Sequence, residues 1–164
     1  MSTEPASPEA LLRLTQWLSP AFPVGAFAWS HGLEAALAEG RVTRETVSDW
    51  LEGVLEHGAG RADAALLAAA YRAGTEAELE EVDALARALA PSAERLAETV
   101  EQGTAFAATV SALWPKYPLP AMAYPVALGR AARLHDLPLD LTATLYLQAF
   151  IGNLCAAAGC AGAS

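Results

Sequence analysis

Apolar residues recur along most of this chain at intervals of three and four positions, the spacing of one face of an α-helix. Near the N-terminus, Leu11, Leu14 and Leu18 follow this spacing. Alanine, leucine, glutamate and arginine dominate, β-branched residues are sparse, and no segment alternates between apolar and polar residues as a strand does. The pattern therefore predicts an all-α protein.

Capping residues, glycines and prolines divide this pattern into about eight helices. Ser7 and Pro8 are typical of an N-cap and a first helical residue, and Gly40 is typical of a helix end. Thr75 and Glu78 form a capping-box pattern. The predicted helices cover roughly residues 8–18, 28–39, 44–57, 61–72, 76–90, 92–113, 121–134 and 138–158. Short connections predict one compact helical bundle, a single domain over residues 1–164.

Composition narrows the classes of function. Hydrophobic residues make up 54% of the chain and charged residues 18%, so part of the apolar surface is expected to contact a partner. A net charge of −9 disfavours nucleic-acid binding, because the chain would repel phosphates. The first residues lack the basic and apolar regions of a signal peptide, and the two cysteines suit a reducing compartment. We therefore expect a cytoplasmic protein.

The C-terminal stretch carries no charged residue after Asp140, and its length could span a bilayer. However, the stretch contains Thr142, Gln148 and Asn153, and no lysine or arginine follows it. These features favour a buried core or interface helix over a membrane helix, so we expect no membrane association.

Few residue patterns point to catalysis or metal binding. The chain has no P-loop and no GxGxxG, HExxH or GxSxG motif, which argues against an enzyme. His31 and Glu34 share a helix face and could ligate a metal, but a surface or capping pair is the favoured explanation. Cys155 and Cys160 could hold a soft metal, but two ligands are too few for a closed site. Cys155 is better explained as a small core residue.

The remaining titratable groups have simple structural interpretations. His57 and His135 end predicted helices, where a cation is favoured by the helix dipole. The acidic run over residues 76–83 begins a helix and is typical of a solvated face. Docking to a basic partner is the alternative function of this run.

The segment from residue 19 to residue 34 is unusual for a connection between helices. Pro20 and Pro23 restrict the backbone dihedral angles, and Gly25 permits conformations that other residues avoid. The segment therefore predicts a defined turn between helices. Unlike a solvated loop, it carries large apolar side chains, among them Phe27 and Trp29. The aromatic residues Phe22, Phe27 and Trp29 either fill the bundle core or pack across a subunit interface.

This segment resembles the N-terminal signature of UreF-type urease accessory proteins, Ser-Pro-x-x-Pro-x-Gly-x-Phe-x-x-Ser-x-Gly-Leu-Glu. A second stretch, residues 123–129, resembles the His-x-Pro-Val-x-x-Gly element of that family, with Ala123 or Tyr124 where the family often has His-Tyr. Residues 145–147 and 153–157 resemble the family's late helix. The motif residues and predicted interface residues are Pro20, Phe22, Pro23, Gly25, Phe27, Trp29, Ser30, Gly32, Glu34, Tyr124, Pro125 and Gly129.

The resemblance implies an all-α homodimer that is an assembly factor and not an enzyme. Proteins of this family join a UreD/UreH-type scaffold and a UreG-type GTPase to load nickel into apo-urease. By this resemblance, the chain regulates the GTPase, and nickel and GTP are handled by its partners. A small helical metal carrier that uses His31, Glu34, Cys155 and Cys160 is the alternative.

The chain departs from the family pattern at its C-terminus. The family continues past the late helix with an Arg-Leu-x-Pro-Leu-Gly-like segment, whereas this chain ends at Ser164. We therefore expect the usual C-terminal segment to be missing and the eighth helix to expose an apolar face.

Overall fold

The computed structural model describes residues 7–24 and 32–161. Within these residues there are eight α-helices and no strand, which confirms the predicted all-α class. The helices are α1 (Pro8–Trp17), α2 (Leu33–Ala38), α3 (Val47–His57), α4 (Ala59–Arg72), α5 (Glu76–Ala88), α6 (Ala93–Leu113), α7 (Tyr124–Leu134) and α8 (Leu139–Ala161).

The helix starts follow the predicted capping chemistry. The Ser7 hydroxyl accepts a hydrogen bond from the backbone N–H of Ala10, and the Thr75–Glu78 capping box forms in both directions. Gly40 ends α2 with a φ of 70°, a conformation that glycine adopts without strain.

The largest difference from the predicted helix limits is at α2, which begins at Leu33 and not near residue 28, because its N-cap Gly32 has a left-handed conformation. Helix α3 begins at Val47 and not near residue 44. Helix α7 begins at Tyr124 and not near residue 121, because Pro125 lies in its first turn.

Helix α7 is the centre of the bundle and packs between α4 and α6. Every residue from 124 to 129 is buried. Gly129 makes the close approach to α4 possible, because a Cβ at this position would overlap the carbonyl oxygen of Leu67. On the opposite side, Gly103 of α6 lies against the backbone that leads into α7, where a Cβ would overlap the carbonyl oxygen of Met122. Two close backbone contacts, at Gly103 and Gly129, therefore allow α7 to pack between its neighbours.

The C-terminal half of α8 belongs to a second, smaller apolar cluster. Phe150 and Leu154 pack there against Leu33 and Ala36 of α2, with α3 covering the cluster from outside. As a result, large apolar residues of α8 are buried or half-buried, which differs from the exposed apolar face expected from the sequence.

The large apolar side chains that are exposed in the described residues lie on α1, on α5 and its C-cap, and on α6: Leu11, Leu12, Leu85, Leu89, Leu96 and Leu113. None of the described helices combines the length and apolar character needed to cross a membrane.

The prediction that His135 is a cation at a helix end is wrong. The imidazole is buried among the rings of Trp17, Trp114 and Tyr117, whose centroids lie 4.8–5.3 Å from its own. Burial and the nearby Arg13 guanidinium lower the pKa of His135 below its ordinary value. Apolar packing from three distant segments, which the local sequence does not reveal, outweighs the attraction of the helix dipole for a charged imidazole.

Candidate functional site

The first half of the signature segment forms a compact turn after α1. The Phe22 N–H donates to the Ser19 carbonyl oxygen at 2.9 Å, and the Val24 N–H donates to the Phe22 carbonyl oxygen at 2.8 Å. The Ser19 hydroxyl also accepts from the Ala21 N–H at 3.2 Å. These bonds satisfy the backbone of a segment whose prolines prevent it from continuing the helix.

The apolar side chains and the prolines of this turn differ in burial. Phe22 and Val24 are buried, and the Phe22 ring packs 5.8 Å from that of Phe106 on α6. Pro20 and Pro23 are exposed. For Phe22, the choice between core and interface is therefore decided in favour of the core, while the two prolines remain on the surface.

The second half of the signature is described only from Gly32. Gly25, Phe27, Trp29, Ser30 and His31 lie outside the described residues, so their predicted roles stay predictions. Gly32 is the N-cap of α2 and has a φ of 80°, a left-handed conformation that favours glycine. Glu34 is exposed in the first turn of α2, where its carboxylate complements the helix dipole.

The second motif starts the central helix. The backbone N–H of Tyr124 donates to the Thr99 hydroxyl at 3.2 Å, and that of Ala123 donates to the Asp83 carboxylate at 2.6 Å. Side chains from α6 and α5 thus satisfy N–H groups at the start of the helix, which would otherwise lack partners. Tyr124 and Pro125 are buried.

The two motifs meet around the ring of Phe106. This ring packs against Phe22 of the first motif and against Tyr124 of the second, at centroid distances of 5.8 and 5.7 Å. Pro20, Val24 and Tyr124 also line one cleft of about 50 Å³. Segments separated by about a hundred residues therefore build one site, as expected for a two-part signature.

A buried polar network forms the wall of this cleft. The Arg95 guanidinium lies 2.7 Å from the Asp63 carboxylate and 3.1 Å from the Glu98 carboxylate. The Tyr146 hydroxyl donates to Asp63 at 2.7 Å, and the Gln102 amide donates to Glu98 at 3.2 Å. The network connects α4, α6 and α8 through charge-assisted hydrogen bonds.

Burial and charge determine the protonation states in this network. Burial on its own lowers the pKa of Arg95, but the charges of Asp63 and Glu98 outweigh it, and the net shift is upward. Burial, together with the Asp63 carboxylate, raises the pKa of Tyr146 well above its ordinary value. Burial also raises the pKa of Tyr124. At neutral pH, the arginine is therefore charged and both phenols are protonated donors.

The network was not predicted from the sequence, although the sequence contains one signal for it. Asp63 occupies the buried face of α4 that it shares with Leu66, Leu67 and Ala70. A carboxylate on an apolar helix face requires a partner, because an isolated buried charge is costly. The partner, Arg95, is 32 residues away and could not be identified without the fold.

Of the four predicted metal candidates, only the side chains of Glu34 and Cys155 lie in the described part of the chain, and both are exposed. Cys155 is exposed on α8, so its predicted place in the core is wrong, since α2 and α3 do not cover that side of the helix. Among the described residues, no group of three or more histidine, cysteine or acidic side chains could hold a metal ion. His31 and the Cys160 side chain lie outside that part. The cleft is much smaller than the roughly 300–1,000 Å³ typical of small-molecule sites.

Comparison with known proteins gives the family directly. The UreF family model matches residues 42–159, most of the chain, including the second motif. The chain belongs to the UreF family. The expectation raised by the two motifs is thereby confirmed.

Similar proteins extend the match to the first motif. Three of them are named urease accessory protein UreF. The protein of Roseobacter denitrificans is 53% identical over 153 residues, 93% of this chain and 68% of its own length. That of a Ruegeria species is 59% identical over 150 residues, 91% of this chain and 70% of its own length. That of Paracoccus denitrificans is 57% identical over 153 residues, with coverage of 93% and 70%. Coverage of 93% means that the aligned region includes the signature segment of this UreF-family chain.

Proposed function

We propose that this UreF-family protein is an accessory protein in the maturation of urease. The observation that carries the proposal is its identity of 53–59% with proteins named urease accessory protein UreF. This identity extends over nine-tenths of the chain, so the aligned region includes both signature motifs. The protein would act in the cytoplasm, as a homodimer and without catalytic activity of its own.

In this proposal, the chain assembles a complex with a UreD/UreH-type scaffold and a UreG-type GTPase that delivers nickel to apo-urease. Nickel and GTP would be bound by the partners. The physical mechanism is differential binding: a factor that contacts one nucleotide state of the GTPase more tightly than the other shifts the population toward that state. Hydrolysis could then be coupled to nickel delivery without a nucleotide site in this chain.

The geometry around the signature supports a role in assembly. The cleft beneath it has little room for a substrate, and its charged side chains bond to one another. Outside the cleft, Pro23 lies on a groove with the exposed side chains of Leu12 and Leu113. Exposed apolar side chains beside a rigid turn are typical of a protein-binding surface. We propose that this surface contacts one of the assembly partners.

Reconstitution tests the proposal. Purified apo-urease, scaffold, GTPase, nickel and GTP are combined with and without this protein, and urease activity is measured. Activation that requires the protein, together with its co-elution with scaffold and GTPase in size-exclusion chromatography, is the expected result. A folded protein that binds neither partner would contradict it.

A nickel titration of the isolated protein distinguishes the metal-carrier alternative from the proposed assembly factor. Tight stoichiometric binding that is lost in His31→Ala would favour the carrier. Weak binding that is unchanged in this variant would favour assembly through partners.

A further inference from the structure

A second surface groove of the described residues lies away from the signature. One wall is helix α5, and the other is the connector 114–123 between α6 and α7. Its volume is about 730 Å³, and we call it the α5 groove. Its apolar lining consists chiefly of Leu79, Pro118, Leu119, Pro120, Met122 and Leu134. This volume is in the range of roughly 300–1,000 Å³ that binding sites occupy.

The connector wall is held in place by hydrogen bonds at both ends. The Leu119 N–H donates to the Ser111 hydroxyl at 2.9 Å, and the Tyr117 N–H donates to the Trp114 carbonyl oxygen at 2.9 Å. At the other end, the Ala123 N–H donates to the Asp83 carboxylate. Prolines at 115, 118 and 120 further stiffen the connector. The groove is therefore preformed, which lowers the entropic cost of binding.

The edge of the groove that α5 forms, here called the α5 rim, carries two acidic side chains that form no salt bridge within the described residues. Glu76 and Glu80 are exposed, lie one helical turn apart and both line the groove. Within the described residues, no lysine or arginine nitrogen is within 4.0 Å of either carboxylate. Like charges at this spacing repel each other, so a cation that bridges them would relieve the repulsion.

The other charged groups of the groove already have contacts. Asp83 pairs with Arg87 at 2.7 Å. Lys116 lies over the ring of Tyr117 at 5.2 Å, and Arg130 donates to the Ala73 carbonyl oxygen at 3.5 Å. These contacts do not neutralise Lys116 or Arg130, which lie on the connector and on α7. The unpaired negative charge of the groove therefore lies on the α5 rim.

We propose that the α5 groove binds a short segment of a partner protein in which apolar side chains alternate with lysine or arginine. The apolar side chains would enter between Leu79 and Met122, and the cation would contact Glu76 and Glu80. We do not assign this groove to the contact of the proposed homodimer, because a chain with 19 acidic residues against 10 basic ones offers few cations to Glu76 and Glu80. The inference goes beyond the proposed role in urease maturation, which does not specify this surface.

A peptide titration tests the proposal without any urease component. The probe is a fluorescein-labelled peptide of alternating leucine and lysine, and the control probe has glutamate in place of lysine. Saturable binding of the first probe alone is expected by fluorescence anisotropy. The double variant Glu76→Gln/Glu80→Gln should weaken it by about tenfold or more. The matched control Glu81→Gln/Glu101→Gln removes the same charge outside the groove and should change affinity by less than about twofold.

A variant that fills the groove tests the geometry independently of charge. Ala84 is exposed and lines the groove, so Ala84→Trp should abolish binding while circular dichroism shows an unchanged fold. Equal weakening by both double variants would mean non-specific attraction to an acidic protein and would overturn the proposal. Absence of saturable binding, or a change from dimer to monomer in Ala84→Trp, would also overturn it. None of these outcomes affects the reconstitution test of urease maturation.

Discussion

The guanidinium of Arg13 lies 2.9 Å from the Nδ1 atom of His135, which joins α1 to the end of α7 across 122 residues of sequence. Because a guanidinium only donates hydrogen bonds, Nδ1 is the acceptor and the imidazole is neutral with its proton on Nε2. The ring fills a pocket between Trp17, Trp114 and Tyr117. Protonation of Nδ1 would break the bond and place two cations side by side.

This contact predicts a specific dependence of stability on pH. The pKa of His135 in the folded protein is lower than the ordinary 6.5 that applies to the unfolded chain. Below about pH 6.5, the unfolded chain takes up a proton that the folded protein does not. The free energy of unfolding therefore decreases as the pH is lowered, until the pKa of His135 in the folded protein is reached. Urea unfolding between about pH 7.5 and 5.5 should therefore show a smaller loss in His135→Gln than in the unsubstituted protein. His57→Gln, which replaces an exposed histidine at the end of α3, is the control for the loss of an imidazole.

The buried ion network predicts a large cost for removing its cation. Arg95→Met leaves Asp63 and Glu98 buried without the guanidinium that they share, and this should lower the free energy of unfolding by about 3–5 kcal/mol. Arg41→Met is the matched control, because Arg41 forms an exposed pair with Glu39 and should cost less than about 1 kcal/mol. Urea denaturation followed by circular dichroism measures both. Equal effects of the two substitutions would show that burial does not distinguish the pairs.

The close contact between α7 and α4 predicts opposite effects for two glycine substitutions. Gly129→Ala places a Cβ against the backbone of Leu67, and the shift that follows should cost about 1–3 kcal/mol or more. Gly152→Ala on α8 has no atom within 4 Å and should stabilise the protein by up to about 1 kcal/mol. Thermal unfolding of both variants measures the difference, and a stabilised Gly129→Ala would contradict the described packing.

The signature turn predicts that substitutions of core and of surface residues differ in their effects on stability. Phe22→Ala should lower the free energy of unfolding by about 3–5 kcal/mol, because the ring packs in the core against Phe106. Leu12 is 71% exposed, so Leu12→Asp should change stability by less than about 1 kcal/mol. In the proposed function, Leu12→Asp weakens co-elution with the assembly partners at unchanged stability. Unimpaired co-elution of this variant would place the partner surface elsewhere.

The amino-acid sequence by itself determined the class of fold, the approximate number and limits of the helices and the family. These properties depend on local chemistry, such as the capping box at Thr75 and the helix end at Gly40, or on linear motifs such as Tyr124-Pro125. Such features act over one or two turns of the chain and can be recognised in a linear sequence.

Only the tertiary structure decided the environment of individual side chains. It placed Phe22 in the core, made His135 a buried neutral group, left Cys155 exposed and paired Asp63 with Arg95. Each outcome depends on segments far apart in the chain that burial brings together. Desolvation and packing depend on those neighbours, so the same residue type has a different role wherever the fold gives it different neighbours.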